Sequence, residues 1–124
     1  MDGFWQGRKV VITGGAGFLG TTLCRNLTSR GAPEITIPRS TDYDLRRADD
    51  VERLFTETRP DLVIHLAARV GGIGANMKNP ADLYLSNLLM GTHVIEQAHL
   101  QEVEKTVVLG TICSYPKFTP VPFK

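Results

Sequence analysis

The segment VVITGGAGFLG, residues 10–20, constrains the fold most, because a β-branched run passes directly into glycines and then into a helical pattern. Residues 9–13 predict a short buried strand that is closed by a turn. Glycines at 14, 17 and 20, and the stricter GxGxxG spacing at 15, 17 and 20, permit a tight turn and a close backbone approach. The segment therefore predicts a strand, a turn and a helix in immediate succession.

The start of this helix is suited to binding an anion. A helix N-terminus presents unpaired backbone N–H groups and the positive end of its dipole. Glycines at this place leave room for a phosphate against the backbone. A tight turn without a ligand is the alternative, and a glycine pattern alone would not separate the two. The strand before the turn and the helix after it favour the pyrophosphate of a nicotinamide dinucleotide.

Strand and helix patterns alternate along the whole chain. The predicted strands are residues 9–13, 34–38, 61–68 and 105–110, and the predicted helices are residues 17–30, 49–58 and 80–99, the last of them largely buried. Residues 115–123 contain three prolines and predict irregular structure. Because each parallel crossover needs a covering helix, we expect a Rossmann-like, doubly wound α/β fold with helices on both faces of a parallel sheet.

We expect this fold to be incomplete. A full dinucleotide fold has about six strands, whereas the pattern predicts four. Residues 1–124 are therefore interpreted as the N-terminal part of a NAD(P)-binding domain, without the C-terminal lobe that would bind substrate.

Composition excludes several classes of function. The formal net charge is +1, and the alternating signs of Arg46, Arg47, Asp49 and Asp50 predict a solvated helix face. We therefore expect no nucleic-acid partner. The chain shows no signal peptide and no run of about 18 apolar residues, so we expect a cytoplasmic protein without a membrane partner. Cys24 and Cys113 are too few for a disulfide scaffold and are expected to be free thiols, and we expect no metal site.

The residues after the second strand bear on the choice of cofactor. An acidic residue about 20 positions after the glycines favours NAD, whereas an arginine nearby accommodates the 2′-phosphate of NADP. Arg39 follows the second strand directly, and Asp42 and Asp44 come later, where we expect the chain to pass beneath the adenine. The sequence therefore favours NADP over NAD. The alternative is that Arg39 is a surface arginine without a ligand.

Three ordered motifs carry a family resemblance: TGGAGFLG at residues 13–20, HLAA at 65–68 and NLLMGTHVIEQA at 87–98. Together they resemble the extended short-chain dehydrogenase/reductase family. VGGIGAN at 70–76 and LGTICSYPK at 109–117 are similar to its GDP-L-fucose synthases. That resemblance implies NADP-dependent 3,5-epimerisation and 4-reduction of GDP-4-keto-6-deoxymannose, a GDP-linked sugar substrate.

The resemblance also implies roles for individual residues. The turn would hold the pyrophosphate through Gly14, Gly15, Ala16, Gly17, Phe18, Leu19 and Gly20. Arg39 would meet the 2′-phosphate, and Asp44 with Leu45 would border the adenine. The remaining cofactor-lining residues would be Leu66, Ala67, Ala68, Leu109 and Gly110.

Two residues match catalytic positions of the family. Thr111 stands where a Ser or Thr hydrogen-bonds the substrate carbonyl, and Cys113 matches the cysteine of epimerisation. A thiol has a pKa of about 8.5 and can serve as acid or base when its surroundings tune it. The alternative for Cys113 is a small buried hydrophobic residue.

The sequence departs from the family pattern in two respects. The reductase centre needs a Tyr followed four residues later by Lys, and Tyr43, Tyr84 and Tyr115 are followed instead by Arg, Leu and Thr. His65 is expected to be a strand-end packing or hydrogen-bonded residue, and His93 and His99 lie on the long predicted helix, so none matches the histidine of epimerisation. We therefore expect the chain alone to be an inefficient reductase.

Two further possibilities stay open. One is a different nucleotide-sugar 4-epimerase or dehydratase of the same family. The other is a non-catalytic dinucleotide-binding module, for which the missing Tyr and Lys are the only positive evidence. The family also implies that the full-length protein forms a homodimer through a helix bundle that includes residues 80–99.

Overall fold

The computed structural model describes residues 3–32 and 34–123. Within these residues, four parallel strands form one sheet in the order β2-β1-β3-β4. They are β1 (Lys9–Thr13), β2 (Glu34–Thr36), β3 (Leu62–His65) and β4 (Lys105–Val108). The helices are α1 (Phe18–Ser29), α2 (Ala48–Thr58), α3 (Ile73–Lys78) and α4 (Pro80–Leu100). The sheet order and the intervening helices confirm the predicted α/β class.

The two faces of the sheet carry separate cores. Successive side chains of a strand point to opposite faces. Val10 and Ile12 of β1 pack with Leu27 of α1 in one cluster. Val11, between them, packs with residues of α2 and α4 in the other. Helices therefore cover both faces, as the sequence predicts.

The order of the strands creates a cleft at one edge. From β1 the chain passes to β2 on one side and then returns to β3 on the other side of β1. Where two connections leave a strand towards opposite sides of the sheet, a crevice remains outside the carboxyl ends of the strands. The residues that follow β1, β2 and β3 therefore meet at a single place.

The structure corrects the prediction for the long helix. Only Ser86, Met90, Val94 and Ala98, at a spacing of four residues, are buried in α4. Large apolar side chains on its other side are exposed: Tyr84, Leu85, Leu88, Ile95 and Leu100. The expectation that this helix is largely buried is wrong, because the sheet and α2 cover a single stripe of it. No helix of the described ranges is long and apolar enough to span a bilayer.

Other differences lie at the ends of elements. The strands β2, β3 and β4 end two or three residues before their predicted limits, at Thr36, His65 and Val108. The residues beyond them leave the sheet to form loops. The short helix α3 falls in the glycine-rich stretch after β3 and has no buried residue, so it lacks the apolar periodicity that predicts helices.

Candidate functional site

An open cleft with a volume of about 870 Å³ lies at the carboxyl ends of β1, β2 and β3. Its lining residues are Gly14, Ala16, Gly17, Pro38, Arg39, Ser40, Tyr43, Asp44, Leu45, Arg46, Leu66, Ala67, Ala68, Arg69, Val70 and Met90. Nine of these belong to the cofactor site predicted from the sequence. The structure therefore brings together residues that are far apart in the chain, from Gly14 to Met90.

The glycine turn forms the centre of the cleft. Gly14 has a positive φ of 71°, and a Cβ there would lie 2.7 Å from the Ala67 backbone nitrogen. A Cβ on Gly20 would lie 2.5 Å from the Gly15 Cα. Only glycine tolerates these two positions. The turn therefore lies directly against the end of β3 on one side and against α1 on the other.

The N-terminus of α1 has the features of an anion site. Its N-cap residue is Gly17, which has no side chain with which to cap the helix, and the first turn contains no acidic residue. The first N–H groups of a helix lack acceptors within it. Because Gly17 and Ala16 line the cleft, these donors and the positive end of the dipole are suited to the pyrophosphate of a dinucleotide.

A buried polar contact supports the turn from below. The Thr13 hydroxyl and His65 Nδ1 lie 2.7 Å apart, and the Ala67 N–H donates to the same hydroxyl over 3.3 Å. His65 is 6% exposed, and burial lowers the pKa of its imidazole. The expectation of a hydrogen-bonded strand-end histidine is confirmed, and the contact joins the ends of β1 and β3 beneath the cleft.

One wall of the cleft follows β2. The N–H groups of Asp42 and Tyr43 both donate to the Arg39 carbonyl over 2.9 Å. This turn places Arg39 and Asp44 on the same wall of the cleft. The Tyr43 ring packs on the core and carries the Arg53 guanidinium 4.4 Å from its centroid.

Arg46 corrects a second prediction. The sequence pattern places it on a solvated helix face, but it precedes α2 and lines the cleft. Its guanidinium holds the Asp44 carboxylate through Nε and Nη2, at 2.9 and 2.6 Å. This hydrogen bonding lowers the pKa of Asp44 to about 2. Asp44 therefore carries its charge next to a partner of opposite sign.

The other wall of the cleft follows β3 and is fastened to α4. The Asn87 side chain accepts from the Arg69 N–H over 2.8 Å and donates to the Arg69 carbonyl over 2.9 Å. The Arg69 guanidinium lies 2.8 Å from the Asp82 carboxylate and 3.2 Å from the Ser86 hydroxyl. The loop at residues 66–70 is therefore tied to the first two turns of a rigid helix.

The two predicted catalytic residues lie outside this cleft. The Thr111 hydroxyl accepts from the Cys113 N–H over 3.2 Å at the start of a short 3-10 helix, Ile112–Ser114. Both side chains are exposed, so Cys113 is not the buried hydrophobic residue of the alternative reading. The predicted residues that do not line the cleft are Gly15, Phe18, Leu19, Gly20, Leu109 and Gly110.

Sequence reasoning missed seven lining residues: Pro38, Ser40, Tyr43, Arg46, Arg69, Val70 and Met90. Those that directly follow predicted strands could have been found, because ligands bind beyond the carboxyl ends of parallel strands. Arg46 and Met90 required knowledge of the path of the chain. Within residues 3–32 and 34–123, no group of His, Cys, Asp and Glu side chains could hold a metal ion.

Comparison with known proteins agrees with this geometry. A model of the NAD dependent epimerase/dehydratase family matches residues 10–124. GDP-L-fucose synthase 1 of Arabidopsis thaliana is 40% identical over 114 residues, covering 92% of this chain and 35% of that protein. GDP-L-fucose synthase of Escherichia coli is 35% identical over 115 residues, covering 93% and 36%. The chain thus spans about a third of the length of these relatives.

Solved structures show the same fold. The GDP-mannoheptose C4 reductase of Campylobacter jejuni, with NADP bound, aligns with a TM-score of 0.87 and 32% identity, covering 94% of this chain and 37% of that one. A GDP-L-fucose synthetase of Naegleria fowleri bound to NADP aligns with a TM-score of 0.79 and 28% identity, covering 96% and 35%. The family model and these relatives establish that the chain belongs to the NAD dependent epimerase/dehydratase family.

Proposed function

We propose that the chain binds NADP in the cleft, as the cofactor-binding part of an epimerase/reductase that acts on a GDP-linked keto-sugar. The observation that carries this proposal is the position of the glycine turn and the uncapped end of α1 at the centre of the cleft. Three arginines and one aspartate line the cleft. This balance of charge suits a ligand that carries a pyrophosphate and a further phosphate.

The cofactor would lie across the glycine turn and the two walls of the cleft. Its pyrophosphate would accept from backbone N–H groups of the turn and of Phe18 and Leu19, with Gly15 and Gly20 keeping the turn close to α1. Arg39 would bind the 2′-phosphate, and Asp44 and Leu45 would border the adenine. Leu66, Ala67 and Ala68, continuing towards Leu109 and Gly110, would line the nicotinamide half, because that half lies on the far side of the pyrophosphate from β2.

The chemistry proposed for the longer protein follows from its resemblance to the relatives that are GDP-L-fucose synthases. NADPH held in the cleft would supply the hydride for reduction of a ketone at C4 of the sugar. The Thr111 hydroxyl would donate a hydrogen bond to that carbonyl, and the Cys113 thiol would exchange a proton at C3 or C5 beside it. The chain contains no Tyr-x-x-x-Lys sequence, so we propose that efficient reduction needs residues from a further segment.

The longer protein is also proposed to be a homodimer. The face of α4 that carries Tyr84, Leu88 and Ile95 is exposed and apolar. Contiguous exposed apolar surface of this kind marks contact sites. We propose that this face packs in a helix bundle between two copies of the full-length protein.

Calorimetric titration of NADPH and NADH into the chain tests the cofactor assignment. Arg39→Ala should weaken NADPH binding roughly tenfold, the cost of one hydrogen-bonded ion pair, and should change NADH binding little. Arg30→Ala is the matched control, because it removes the same charge at the C-terminus of α1, the end that lies away from the cleft. Equal losses for both cofactors in Arg39→Ala would contradict the role of Arg39. An absence of binding by the wild-type chain would contradict the proposed function.

A further inference from the structure

One face of α2 holds the loop at residues 39–44, which carries Arg39. Three side chains of this face, Asp50, Arg53 and Glu57, contact the loop, and their spacing makes them neighbours on the helix surface. Another face of α2 is fully buried in the core through Val51, Leu54 and Phe55. The loop is therefore fastened to a helix that the core itself holds in place.

Arg53 makes several of these contacts at once. Its Nη2 donates to the Asp42 carbonyl, and also to the Asp50 carboxylate over 3.0 Å. Its guanidinium lies over the Tyr43 ring, whose hydroxyl donates to the Glu57 carboxylate. A planar guanidinium can stack on a ring and donate hydrogen bonds in its own plane, whereas an ammonium group cannot combine the two in this way. Arg53 is therefore the main link between the loop and α2.

The segment that Arg53 holds is the turn that closes on Arg39. The N–H groups of Asp42 and Tyr43 both donate to the Arg39 carbonyl. The Arg39 side chain is exposed, and it takes part in no ion pair with any residue that the structure describes. Its direction into the cleft therefore depends on its backbone, and through the turn on Arg53.

The following part of the loop has anchors of its own. The Asp44 N–H donates to the Asp50 carboxylate over 3.0 Å. The Leu45 carbonyl accepts from Nδ1 of His93, a residue of α4, over 3.1 Å. Loss of the Arg53 guanidinium would therefore loosen the turn at Arg39 but leave the residues proposed to border the adenine in place.

We propose that Arg53 is a positioning residue for recognition of the 2′-phosphate. It holds the turn at residues 39–43 so that Arg39 is in place before the cofactor binds. Arg53 does not line the cleft, and it acts through the turn. This inference rests on the proposed binding of NADP and on the proposed role of Arg39.

Substitutions in the 124-residue chain test the inference through the preference for NADPH, the ratio of the NADH and NADPH dissociation constants. Arg53→Met keeps an apolar stem against Tyr43 but removes the guanidinium. It should reduce the preference roughly fourfold, less than the roughly tenfold expected for Arg39→Ala, because Arg39 is then in place in only a fraction of the molecules. NADH binding should stay unchanged. Arg53→Lys keeps a donor for the Asp42 carbonyl and should restore part of the preference.

The matched control is Arg25→Met, which removes the same charge from an exposed position on α1 that does not line the cleft. It should leave the preference unchanged. Thermal unfolding of every variant sets a titration temperature at which all of them are folded. A general loss of stability would weaken both cofactors alike, whereas a displaced Arg39 weakens only the one that carries the additional phosphate.

The double variant shows whether Arg53 acts through Arg39. In the Arg39→Ala background, Arg53→Met should cause no further change in the preference, because the contact that it positions is already gone. A further fourfold loss in that background would overturn the inference. So would equal weakening of both cofactors by Arg53→Met alone, or a preference that this substitution leaves unchanged. A wild-type chain that binds neither cofactor would instead overturn the proposed function, and the inference with it.

Discussion

Replacing Gly20 with alanine should destabilise the fold and damage the cleft, whereas the same replacement at Gly91 should do neither. Both glycines lie within helices, α1 and α4. A Cβ on Gly20 would lie 2.5 Å from the Gly15 Cα and 2.7 Å from its carbonyl carbon. Nonbonded carbon atoms rest about 3.5–4 Å apart, so the turn and the helix would have to separate by about 1 Å. Nothing lies within 4 Å of a Cβ built on Gly91.

The comparison between the two variants isolates the cost of this collision. Overpacking costs about 1–3 kcal/mol, and we expect the upper end because the opposing atoms are backbone and cannot rotate away. Alanine for glycine in a helix contributes up to about 1 kcal/mol in both variants, so this contribution cancels. The free energies of unfolding should therefore differ by about 3 kcal/mol, which corresponds to roughly 10 °C in Tm.

Thermal and urea unfolding measure this difference, and calorimetry with NADPH measures the effect on the cleft. Gly91→Ala should bind NADPH as the wild type does. Gly20→Ala should bind it at least tenfold more weakly at a temperature where the variant is still folded, because the displaced turn misplaces its N–H groups. Equal stability of the two variants would refute the close approach of α1 to the turn.

Three further predictions concern other parts of the chain. Burial lowers the pKa of His65 in the folded state, so the unfolded chain takes up a proton first as the pH falls. The free energy of unfolding should therefore decrease as the pH drops below 6.5. Urea titrations should show this loss in the wild type, and an unchanged pH dependence in His65→Gln would contradict it. Asn87→Leu should weaken NADPH binding but leave 2′,5′-ADP binding unchanged, because Asn87 fastens the wall that we propose faces the nicotinamide half. Equal calorimetric losses for both ligands would argue against this role. In the longer protein that we propose, with a C-terminal lobe after the chain, Cys113→Ser should slow solvent-deuterium exchange into the keto-sugar and spare NADPH binding, and unchanged exchange would remove Cys113 from the proposed chemistry.

Features set by neighbouring residues could be predicted from the sequence. The limits of β1 are those predicted, because its β-branched run is followed by two glycines, which end the strand. The glycine turn could be predicted equally well, since its requirements for space and for a positive φ are local. Arg39 was found because it directly follows the second predicted strand, whereas Ala67 came from the resemblance of HLAA at residues 65–68 to the family.

Features set by distant parts of the chain could not be predicted in this way. Apolar periodicity indicates which residues of α4 are hydrophobic, but it does not say which of them another element covers. The alternating charges around Arg46 are typical of a solvated helix, but they do not show that α2 begins only at Ala48 and that Arg46, before it, lies on the wall of the cleft. The relation of Cys113 to the cleft is similarly undetermined by local pattern, because it depends on how residues 109–123 pack.

The central claim, that the cleft at the ends of β1, β2 and β3 binds NADP, is tested most directly by amide hydrogen exchange with and without saturating NADPH. We predict slower exchange at residues 14–20, 39–46 and 66–70, which belong to the turn and to the two walls. The amides at residues 101–104 lie at the opposite end of the sheet, where the Lys105 N–H meets the Asp61 carbonyl, and their exchange should stay unchanged. Protection that spares residues 14–20, or that appears equally at residues 101–104, would contradict the claim.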